Sequence, residues 1–552
     1  HTMISNLNKQ KKSIILFLIY SLSILTVLTV YKDYGIHIEE KFHRLNGHYW
    51  LNYVSELFGF DNLKILTERK ISEISDYTLS PVSVYNKYSV IFDLPTALLE
   101  ILLKIDDVQK IYYLKHILSF FIFLLSSLFF FKILEKKYKN FYLSLTGLIL
   151  YITTPRILGD SFLYKDVLFL SFFTITFYFF YKSLTTLSYK SIFIFSILSS
   201  ICVNLRFFAI LVPILFIALI IMKNFYLNEF INSLKKITFY LISFFFFFFI
   251  FWPYLWLDPL NNFIELFKSV KNDLINVKIL YNDMYISNRT LPDIYLLKWI
   301  GISSPPLQFI LFLLGFLYCF IRFIKRFISI KKNNIYNDLW RGINEELDVI
   351  CFLMLVLFYF IFIFFNAPLY NGWRLVYFFN FFLIYFSINC LYLIKISIIK
   401  KRFINIFFLL VIFLISNNIY AIIKTHPFQS IYFNSLMSKK NKNIYEGDYH
   451  GLASKHFFEK IIFEDDREII NIAVASHTPI QRGLEGISFK FKKKLNIVGQ
   501  EYNIADYIFK NNISEVNSNL IKKYDIPKNF SKMYELEVDK VIIYEIYKRD
   551  DL

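Results

Sequence analysis

Long apolar blocks alternate with short polar connections over the first three quarters of the chain. Eleven blocks hold few charged residues: 13–30, 114–131, 140–154, 167–181, 191–205, 207–222, 237–257, 305–321, 349–366, 375–394 and 403–423. A helix needs roughly 20 apolar residues to cross the hydrocarbon core of a bilayer, and slightly fewer when flanking side chains snorkel. The pattern therefore predicts an α-helical polytopic membrane protein with about eleven transmembrane helices.

The connection after every second block is rich in lysine and arginine. These basic connections are 132–139, 182–190, 223–236, 322–332 and 395–402. Cytoplasmic loops are enriched in Lys and Arg, so these basic connections and the N-terminus are predicted to be cytoplasmic. Lys9, Lys11 and Lys12 precede the first block, and no small-residue cleavage site follows it. We therefore expect the first block to be retained as a membrane helix.

The other connections are predicted to lie on the outer side of the membrane. They include two long ones, 31–113 and 258–304, and two short ones, 155–166 and 367–374. Within the first of them, apolar residues recur at helical spacing over 42–57, which predicts a helix in the membrane interface. A second apolar stretch, 89–104, contains Asp93 and Glu100. We expect a second interfacial helix there, and a spanning helix is the alternative.

The chain after residue 424 is more polar and is also predicted to be outside. Short apolar runs predict strands, and a longer amphipathic run predicts a helix. The predicted elements are a helix over 452–463 and strands over Asn471–Ala475, Tyr507–Phe509 and Val541–Ile546. We therefore expect a transmembrane domain over 1–424 and a small α/β domain over 425–552.

The amino-acid composition limits the kinds of molecule that the protein is expected to bind. The formal net charge is +18, but most Lys and Arg lie in the short connections, so topology accounts for the charge and no nucleic-acid partner is expected. All four cysteines lie inside apolar blocks, without a CxxC pair or histidines at zinc-ligand spacing. The sequence therefore predicts no disulfide framework, no metal site and no cofactor.

Charged residues gather at the outer ends of the predicted helices. Glu39 and Glu40 form an acidic pair just before the interfacial helix, where acidic residues also stabilise the helix dipole. The connection 155–166 contains Arg156, Asp160, Lys165 and Asp166, and Arg374 ends the connection 367–374. Such cations suit a phosphate or a polar head group, although snorkelling side chains at an interface are the alternative.

The centres of the predicted spans hold almost no charged residues. Ion-coupled transporters usually carry ionisable groups at that depth. This absence favours chemistry at the outer surface over transport.

Several outer segments match one ordered set of motifs. Tyr34-Gly35-Ile36 and Glu39-Glu40 resemble an Asp-Gly-Ile-x-x-Asp-Glu pattern, with Glu39 in place of its usual Asp. The second connection resembles a Pro-Arg-(x)n-Ser-Phe-(x)n-Lys-Asp pattern through Pro155, Arg156, Ser161, Phe162, Lys165 and Asp166. The later landmarks are Trp252-Pro253-Tyr254-Leu255-Trp256, Ser304-Pro305-Pro306, Tyr370-Asn371-Gly372-Trp373-Arg374 and Asp448-Tyr449-His450-Gly451.

Together these motifs resemble the GT-C class of membrane glycosyltransferases, in the branch of protein O-mannosyltransferases and lipid A aminoarabinose transferases. The resemblance covers most of the chain in one order. It implies a multi-pass protein of the bacterial inner (plasma) membrane that moves a sugar, with inversion, from a polyprenyl phosphate. The implied partners are this donor, the lipid bilayer and an envelope acceptor, which is a protein, a lipid A-like lipid or a glycan.

The resemblance also implies roles for the charged residues. Glu39 is expected to be the general base, with Glu40 as the alternative, and Asp166 is expected to orient the acceptor or Lys165. The residues expected to bind the lipid phosphate are Arg156, Lys165 and Arg374, with Asp160 as a further binding candidate. No metal is expected to be required.

Two functions without covalent chemistry remain alternatives. A transporter or flippase of lipid-linked sugars would share the membrane architecture, but the outer acidic pair and the uncharged helix centres favour an enzyme. A scaffold for envelope assembly would leave the clustering of Arg156, Lys165 and Asp166 unexplained.

Overall fold

The structure is a computed structural model, and helices make up most of it. It describes residues 2–75, 88–226, 230–272, 276–330, 338–365, 367, 369–398, 401–514 and 522–552. The basic residues predicted to be cytoplasmic at 331–332 and 400 lie outside these ranges.

Helices occupy the chain up to residue 425, with one short β-hairpin between them. Numbered in chain order, the helices are α1 (Thr2–Val30), α2 (Glu40–Leu57), α3 (Asp61–Ile74), α4 (Asp93–Leu102), α5 (Val108–Tyr138), α6 (Phe141–Thr153), α7 (Pro155–Asp160), α8 (Asp166–Thr186), α9 (Tyr189–Leu205), α10 (Leu211–Tyr226), α11 (Phe230–Ile250), α12 (Tyr254–Leu257), α13 (Pro259–Asn272), α14 (Tyr295–Ser303), α15 (Pro306–Ile328), α16 (Ile343–Phe364), α17 (Phe379–Ser397) and α18 (Lys401–Thr425). The hairpin consists of β1 (Lys278–Tyr281) and β2 (Met284–Ser287).

Eight helices of the described ranges are long and apolar enough to cross a membrane. Their apolar parts are Gln10–Val30, Val108–Tyr138, Asp166–Thr186, Ile231–Ile250, Pro306–Ile328, Asn344–Phe364, Phe379–Ser397 and Ile404–Thr425. Shorter apolar helices at Phe141–Thr153, Tyr189–Leu205 and Phe207–Lys223 coincide with the other three predicted blocks. These shorter helices extend only about 20–26 Å, less than the roughly 30 Å hydrocarbon core. The helices indicate a multi-pass membrane protein.

Helices α2 and α4, with α3 between them in sequence, lie in the first long connection. Because α4 has only ten residues, it extends about 15 Å, so the alternative of a spanning helix over 89–104 is wrong. The two helices share buried polar contacts: Arg44 donates two hydrogen bonds to Glu100, at 3.0 and 2.6 Å, and His43 lies 2.9 Å from Asp93. The acidic residues that made the second stretch ambiguous therefore pair with the first helix.

A glycine allows the closest approach of two long helices. A Cβ on Gly315 of α15 would lie 2.0 Å from the carbonyl oxygen of Phe386 on α17. Small residues allow membrane helices to pack backbone to backbone, where van der Waals contact replaces the missing hydrophobic driving force. Any larger residue at 315 would push α15 away from α17.

A buried ionic cluster joins four helices near the C-terminal end of α5. Asp348 of α16 accepts hydrogen bonds from Arg322 of α15 and from the Tyr385 hydroxyl of α17, both at 2.6 Å. It also pairs with Lys137 of α5. The side chains of Asp348 and Lys137 are each only 3% exposed, so the buried charge of Lys137 depends on Asp348 for compensation.

We expect Asp348→Asn to lower the free energy of unfolding by about 3–5 kcal/mol, because it leaves Lys137 buried without a counter-charge. Thermal unfolding in detergent measures this loss. Glu345→Gln on the same helix is the control, since its ion pair with Arg326 is partly exposed and should contribute less than about 1 kcal/mol. Equal losses in the two variants would contradict the role of the buried cluster.

The C-terminal domain is a five-stranded sheet with flanking helices. Its strands are β3 (Ile470–Ala475), β4 (Leu495–Gly499), β5 (Tyr507–Lys510), β6 (Phe530–Val538) and β7 (Val541–Arg549), in the order β4-β3-β5-β7-β6. Strand β3 is parallel to both β4 and β5, whereas β7 is antiparallel to β5 and β6. The three predicted strands correspond to β3, β5 and β7, and the predicted helix to Ala453–Glu464, so these predictions are confirmed.

Candidate active site

A cavity of about 470 Å³ lies between the helical part and the C-terminal domain. Glu39, Lys165 and Arg374 line it from the helical side, together with Tyr370 and Asn371. Residues between 477 and 482 and residues 513–514 line it from the C-terminal domain. Its volume is in the range of pockets that hold small molecules or lipid head groups. Three of the seven candidate residues therefore share one cavity.

The backbone before α2 positions Glu39 at this cavity. A Cβ on Gly35 would lie 1.9 Å from the carbonyl oxygen of Leu452, so only glycine allows this approach. The amide of Ile38 donates to the carbonyl of His450 at 3.0 Å, which joins the two segments. Two motifs far apart in the sequence, at 34–40 and 448–451, thus lie against each other and direct Glu39 into the cavity.

The Glu39 carboxylate is paired with two cations from separate elements. Arg374, at the start of a short 3-10 helix, donates to Oε1 at 3.3 Å, and Lys165, just before α8, forms an ion pair with Oε2. The Glu39 side chain is 30% exposed, whereas that of Arg374 is 6% exposed. A partly exposed carboxylate between two more buried cations is well placed to meet a ligand in the cavity.

The neighbouring His37 is neutral near neutral pH. Burial, His450 and Arg374 lower the pKa of His37 well below its ordinary value. Its Nδ1 accepts a hydrogen bond from the amide of Glu39 at 2.9 Å. Burial and the adjacent Arg374 also lower the pKa of Lys165. The cations that face Glu39 therefore oppose any further positive charge in this part of the cavity.

Glu40 points away from the cavity. Its carboxylate lies 3.0 and 3.1 Å from Nε2 of His116 on α5 and accepts from the amide of His37 at 3.3 Å. Its carbonyl accepts from the hydroxyl of Tyr164 at 2.9 Å. The side chain is buried, so Glu40 holds α2 against α5 and does not face the cavity. Geometry thus separates the two adjacent glutamates that the sequence left as alternatives.

Asp166 is also buried behind the cavity wall. It forms an ion pair with Arg206, which follows α9, and thereby joins the N-terminal end of α8 to α9. It adjoins Lys165 in the sequence but does not line the cavity. The sequence gave no sign of Arg206 or His116 as partners, because Arg206 is a single residue between two apolar blocks and His116 lies within a block.

Arg156 and Asp160 lie on α7, also behind the cavity. Arg156 donates to the carbonyl of Tyr432 at 2.7 Å and to the hydroxyl of Tyr449 at 3.2 Å, and its guanidinium lies over the Trp299 ring, 5.6 Å from the centroid. Asp160 lies 3.2 Å from Nε2 of His450. Neither Arg156 nor Asp160 lines the cavity. Arg156 is connected to the cavity through Tyr449, which is one of the lining residues.

One further carboxylate supports the loop that carries Arg374. Glu446 is buried, accepts from the side chain of Asn371, and accepts from the amide of Leu280 in β1 at 3.3 Å. Burial raises the pKa of Glu446 to about 7. The residue connects the β-hairpin and the 370–374 loop to the C-terminal domain. A lone glutamate outside every motif gave no sequence signal for this role.

Within the described ranges, no group of three or more His, Cys, Asp or Glu side chains is arranged to hold a metal ion. No protein-family model matches the chain, and no curated protein matches it in sequence at a significant level.

Proposed function

We propose that this protein is a membrane glycosyltransferase that moves a sugar from a polyprenyl phosphate to an envelope acceptor, which is a protein, a lipid or a glycan. The observation that carries the proposal is the pairing of Glu39 with Lys165 and Arg374 at a cavity of about 470 Å³. The reaction needs a group that accepts the acceptor's proton and cations that stabilise the leaving phosphate, and these three residues are proposed to supply both.

The proposed reaction is a single inverting displacement. The Glu39 carboxylate takes the proton of the acceptor hydroxyl while that oxygen forms a bond to the anomeric carbon of the sugar. The bond between the anomeric carbon and the phosphate oxygen breaks, and its electron pair leaves with the lipid phosphate. Lys165 and Arg374 stabilise the charge that develops on this phosphate.

The ion pairs of Glu39 suggest how the donor prepares the base. Lys165 and Arg374 neutralise Glu39 in the structure. A lipid phosphate that binds to these cations competes with Glu39 for them, so the carboxylate becomes available to accept a proton. We therefore propose that the donor binds first and the acceptor second.

Asp166, Glu40, Arg156 and Asp160 are proposed to position the site. Their partners are Arg206, His116, Tyr449 and His450, respectively. Asp166 orders the chain next to Lys165, and Arg156 orders Tyr449 in the cavity wall. Arg156 is thus proposed to support the cavity wall and not to bind the lipid phosphate directly.

The proposed sidedness places the cavity on the outer side of the plasma membrane. Single cysteines at the exposed positions Met284 and Gln500 should react with a membrane-impermeant maleimide in spheroplasts, whereas those at Lys139 and Lys190 should react only after permeabilisation. The four native cysteines are buried and give a low background. Reaction at 139 or 190 in sealed spheroplasts would contradict this orientation.

The test of the proposed function is a transfer assay with purified protein. Synthetic polyprenyl-phosphate sugars are incubated with extracted envelope proteins, lipids and glycans, and mass spectrometry records a gain of one sugar mass. Movement of the intact lipid-linked sugar across liposomes without any transfer would instead support the transporter alternative.

A further inference from the structure

His37 lies between the proposed base and one of the proposed phosphate-binding cations. Its Nδ1 accepts a hydrogen bond from the backbone amide of Glu39 at 2.9 Å, and its Nε2 lies 3.3 Å from Nη1 of Arg374. The other terminal nitrogen of Arg374, Nη2, donates to the Glu39 carboxylate at 3.3 Å. The imidazole ring of His37 therefore contacts both partners of the ion pair between Glu39 and Arg374.

Neighbouring groups hold the ring of His37 in this place. The amide of His37 donates to the Glu40 carboxylate at 3.3 Å, and the amide of Ile38 donates to the carbonyl of His450 at 3.0 Å. The rings of His37 and His450 lie against each other, with their centroids 4.5 Å apart. Nε2 of His450 lies in turn 3.2 Å from Asp160. His37 is also buried, so its position between Glu39 and Arg374 is set by packing on several sides.

The ring offers fewer acceptors than the number of donors directed at it. Burial, His450 and Arg374 lower the pKa of His37 well below its ordinary value, so the ring is neutral near neutral pH. A neutral imidazole has one N–H donor and one acceptor nitrogen. Because the amide of Glu39 is a donor, Nδ1 is the acceptor and the ring hydrogen lies on Nε2. This Nε2–H group faces an N–H group of Arg374 and does not accept a hydrogen bond from it.

The guanidinium of Arg374 is consequently short of acceptors. Among the described residues, its Nη2 donates to Glu39, whereas its Nε is buried without a hydrogen-bond partner. Its Nη1 faces the Nε2–H group of His37. A buried donor without an acceptor is unfavourable, and charge-assisted hydrogen bonds to phosphate oxygens are strong. A phosphate that reaches Arg374 therefore supplies acceptors that this part of the protein does not.

We infer that His37 is a positioning residue that keeps Arg374 available for the phosphate of the lipid donor. Its ring fixes the amide of Glu39 through Nδ1 and offers Arg374 no acceptor at Nε2. The inference rests on the proposed function, because it takes the lipid phosphate to be the ligand of Arg374. An acceptor at the position of Nε2 would instead bind the guanidinium and compete with the phosphate.

Two substitutions of His37 separate the roles of its two nitrogens. The side-chain carbonyl of Asn reaches the position of Nδ1, whereas that of Gln, which is one methylene longer, reaches the position of Nε2. His37→Asn therefore keeps an acceptor for the Glu39 amide and gives Arg374 none. His37→Gln gives Arg374 an acceptor and removes the one for Glu39.

The measurement is the affinity of the full-length protein in detergent for a polyprenyl phosphate without a sugar, by isothermal titration calorimetry. We expect His37→Asn to bind like the parent. His37→Gln should bind about tenfold to a hundredfold more weakly, because a hydrogen bond to a charged group must be broken first. A role in packing alone predicts the reverse order, since Gln is closer to His in size and Asn leaves a larger cavity.

The same two substitutions at His456 are the control. His456 lies 2.8 Å from the Tyr544 hydroxyl and does not line the cavity, so both variants should bind the polyprenyl phosphate like the parent. Nitrogen NMR of histidine-labelled parent protein provides a second measurement that does not depend on the binding variants. The signals that disappear in His37→Asn should be those of a neutral ring with its hydrogen on Nε2.

Three results would overturn the inference: the parent does not bind the polyprenyl phosphate, His37→Gln binds it at least as tightly as His37→Asn, or the ring hydrogen of His37 lies on Nδ1. The expected order of affinities without any sugar transfer would leave the inference standing and remove the proposed enzymatic function. Sugar transfer by the parent with the reverse order of affinities would remove the role of His37 alone.

Discussion

Glu39→Gln is expected to reduce sugar transfer by about 10²–10⁴, the usual cost of losing a general base. Gln keeps the shape of Glu but does not take up the proton of the acceptor hydroxyl at neutral pH. It also no longer neutralises Lys165 and Arg374, so the donor should bind at least as tightly as in the parent. The measurements are the transfer rate by mass spectrometry and the affinity for a polyprenyl phosphate.

Glu40→Gln provides the matched comparison because the two glutamates are adjacent. Glu40 contacts His116 and does not face the cavity, so its variant should lose thermal stability and keep more activity than Glu39→Gln. Glu39→Asp retains a carboxylate and should retain part of the rate. If Glu39→Gln transfers sugar like the parent, the proposed mechanism is wrong.

Arg374→Ala is expected to reduce the transfer rate by about 10²–10³, the effect typical of removing one donor that stabilises a developing negative charge. Because Arg374 is also a proposed ligand of the phosphate, affinity for the polyprenyl phosphate should fall as well. Arg374→Lys should recover only part of both, since Lys lacks the planar pair of donors. The transfer assay and a titration with the lipid phosphate measure the two effects.

Arg326→Ala is the control for this variant. Arg326 pairs with Glu345 and does not line the cavity, so its loss should leave transfer and donor binding unchanged. Equal donor affinity in the parent and Arg374→Ala would remove Arg374 from the phosphate site.

Much of the helical architecture could be predicted from local patterns. Each of the eleven apolar blocks corresponds to an apolar helix in the structure, because long runs of apolar residues have few other stable environments. The strands around residues 471, 507 and 541 were also predictable from short apolar runs. The length of α4 was harder to predict from the sequence, since an apolar stretch with two acidic residues is consistent with either an interfacial or a spanning helix.

The residues that form the candidate site could be predicted from the sequence only in part. The sequence placed Glu39, Lys165 and Arg374 among seven charged residues, four acidic and three basic, near the ends of apolar blocks. Arg156 and Asp160 do not line the cavity because α7 lies behind its wall. There Arg156 donates a hydrogen bond to Tyr449, and Asp160 lies within hydrogen-bond distance of His450. Arg206 and Glu446 carried no pattern that linked them to the site.

By itself, the sequence determined which segments form long apolar helices and which charged residues stand near their ends, because both depend on local hydrophobicity and on the distribution of charge. Only the tertiary structure decided that Glu39 and not Glu40 faces the cavity, since adjacent residues at a helix start point in different directions. It also decided that the carboxyl ends of β3 and β5 form the opposite wall. Contacts between residues more than 400 positions apart depend on the packing of whole elements, which no local pattern records.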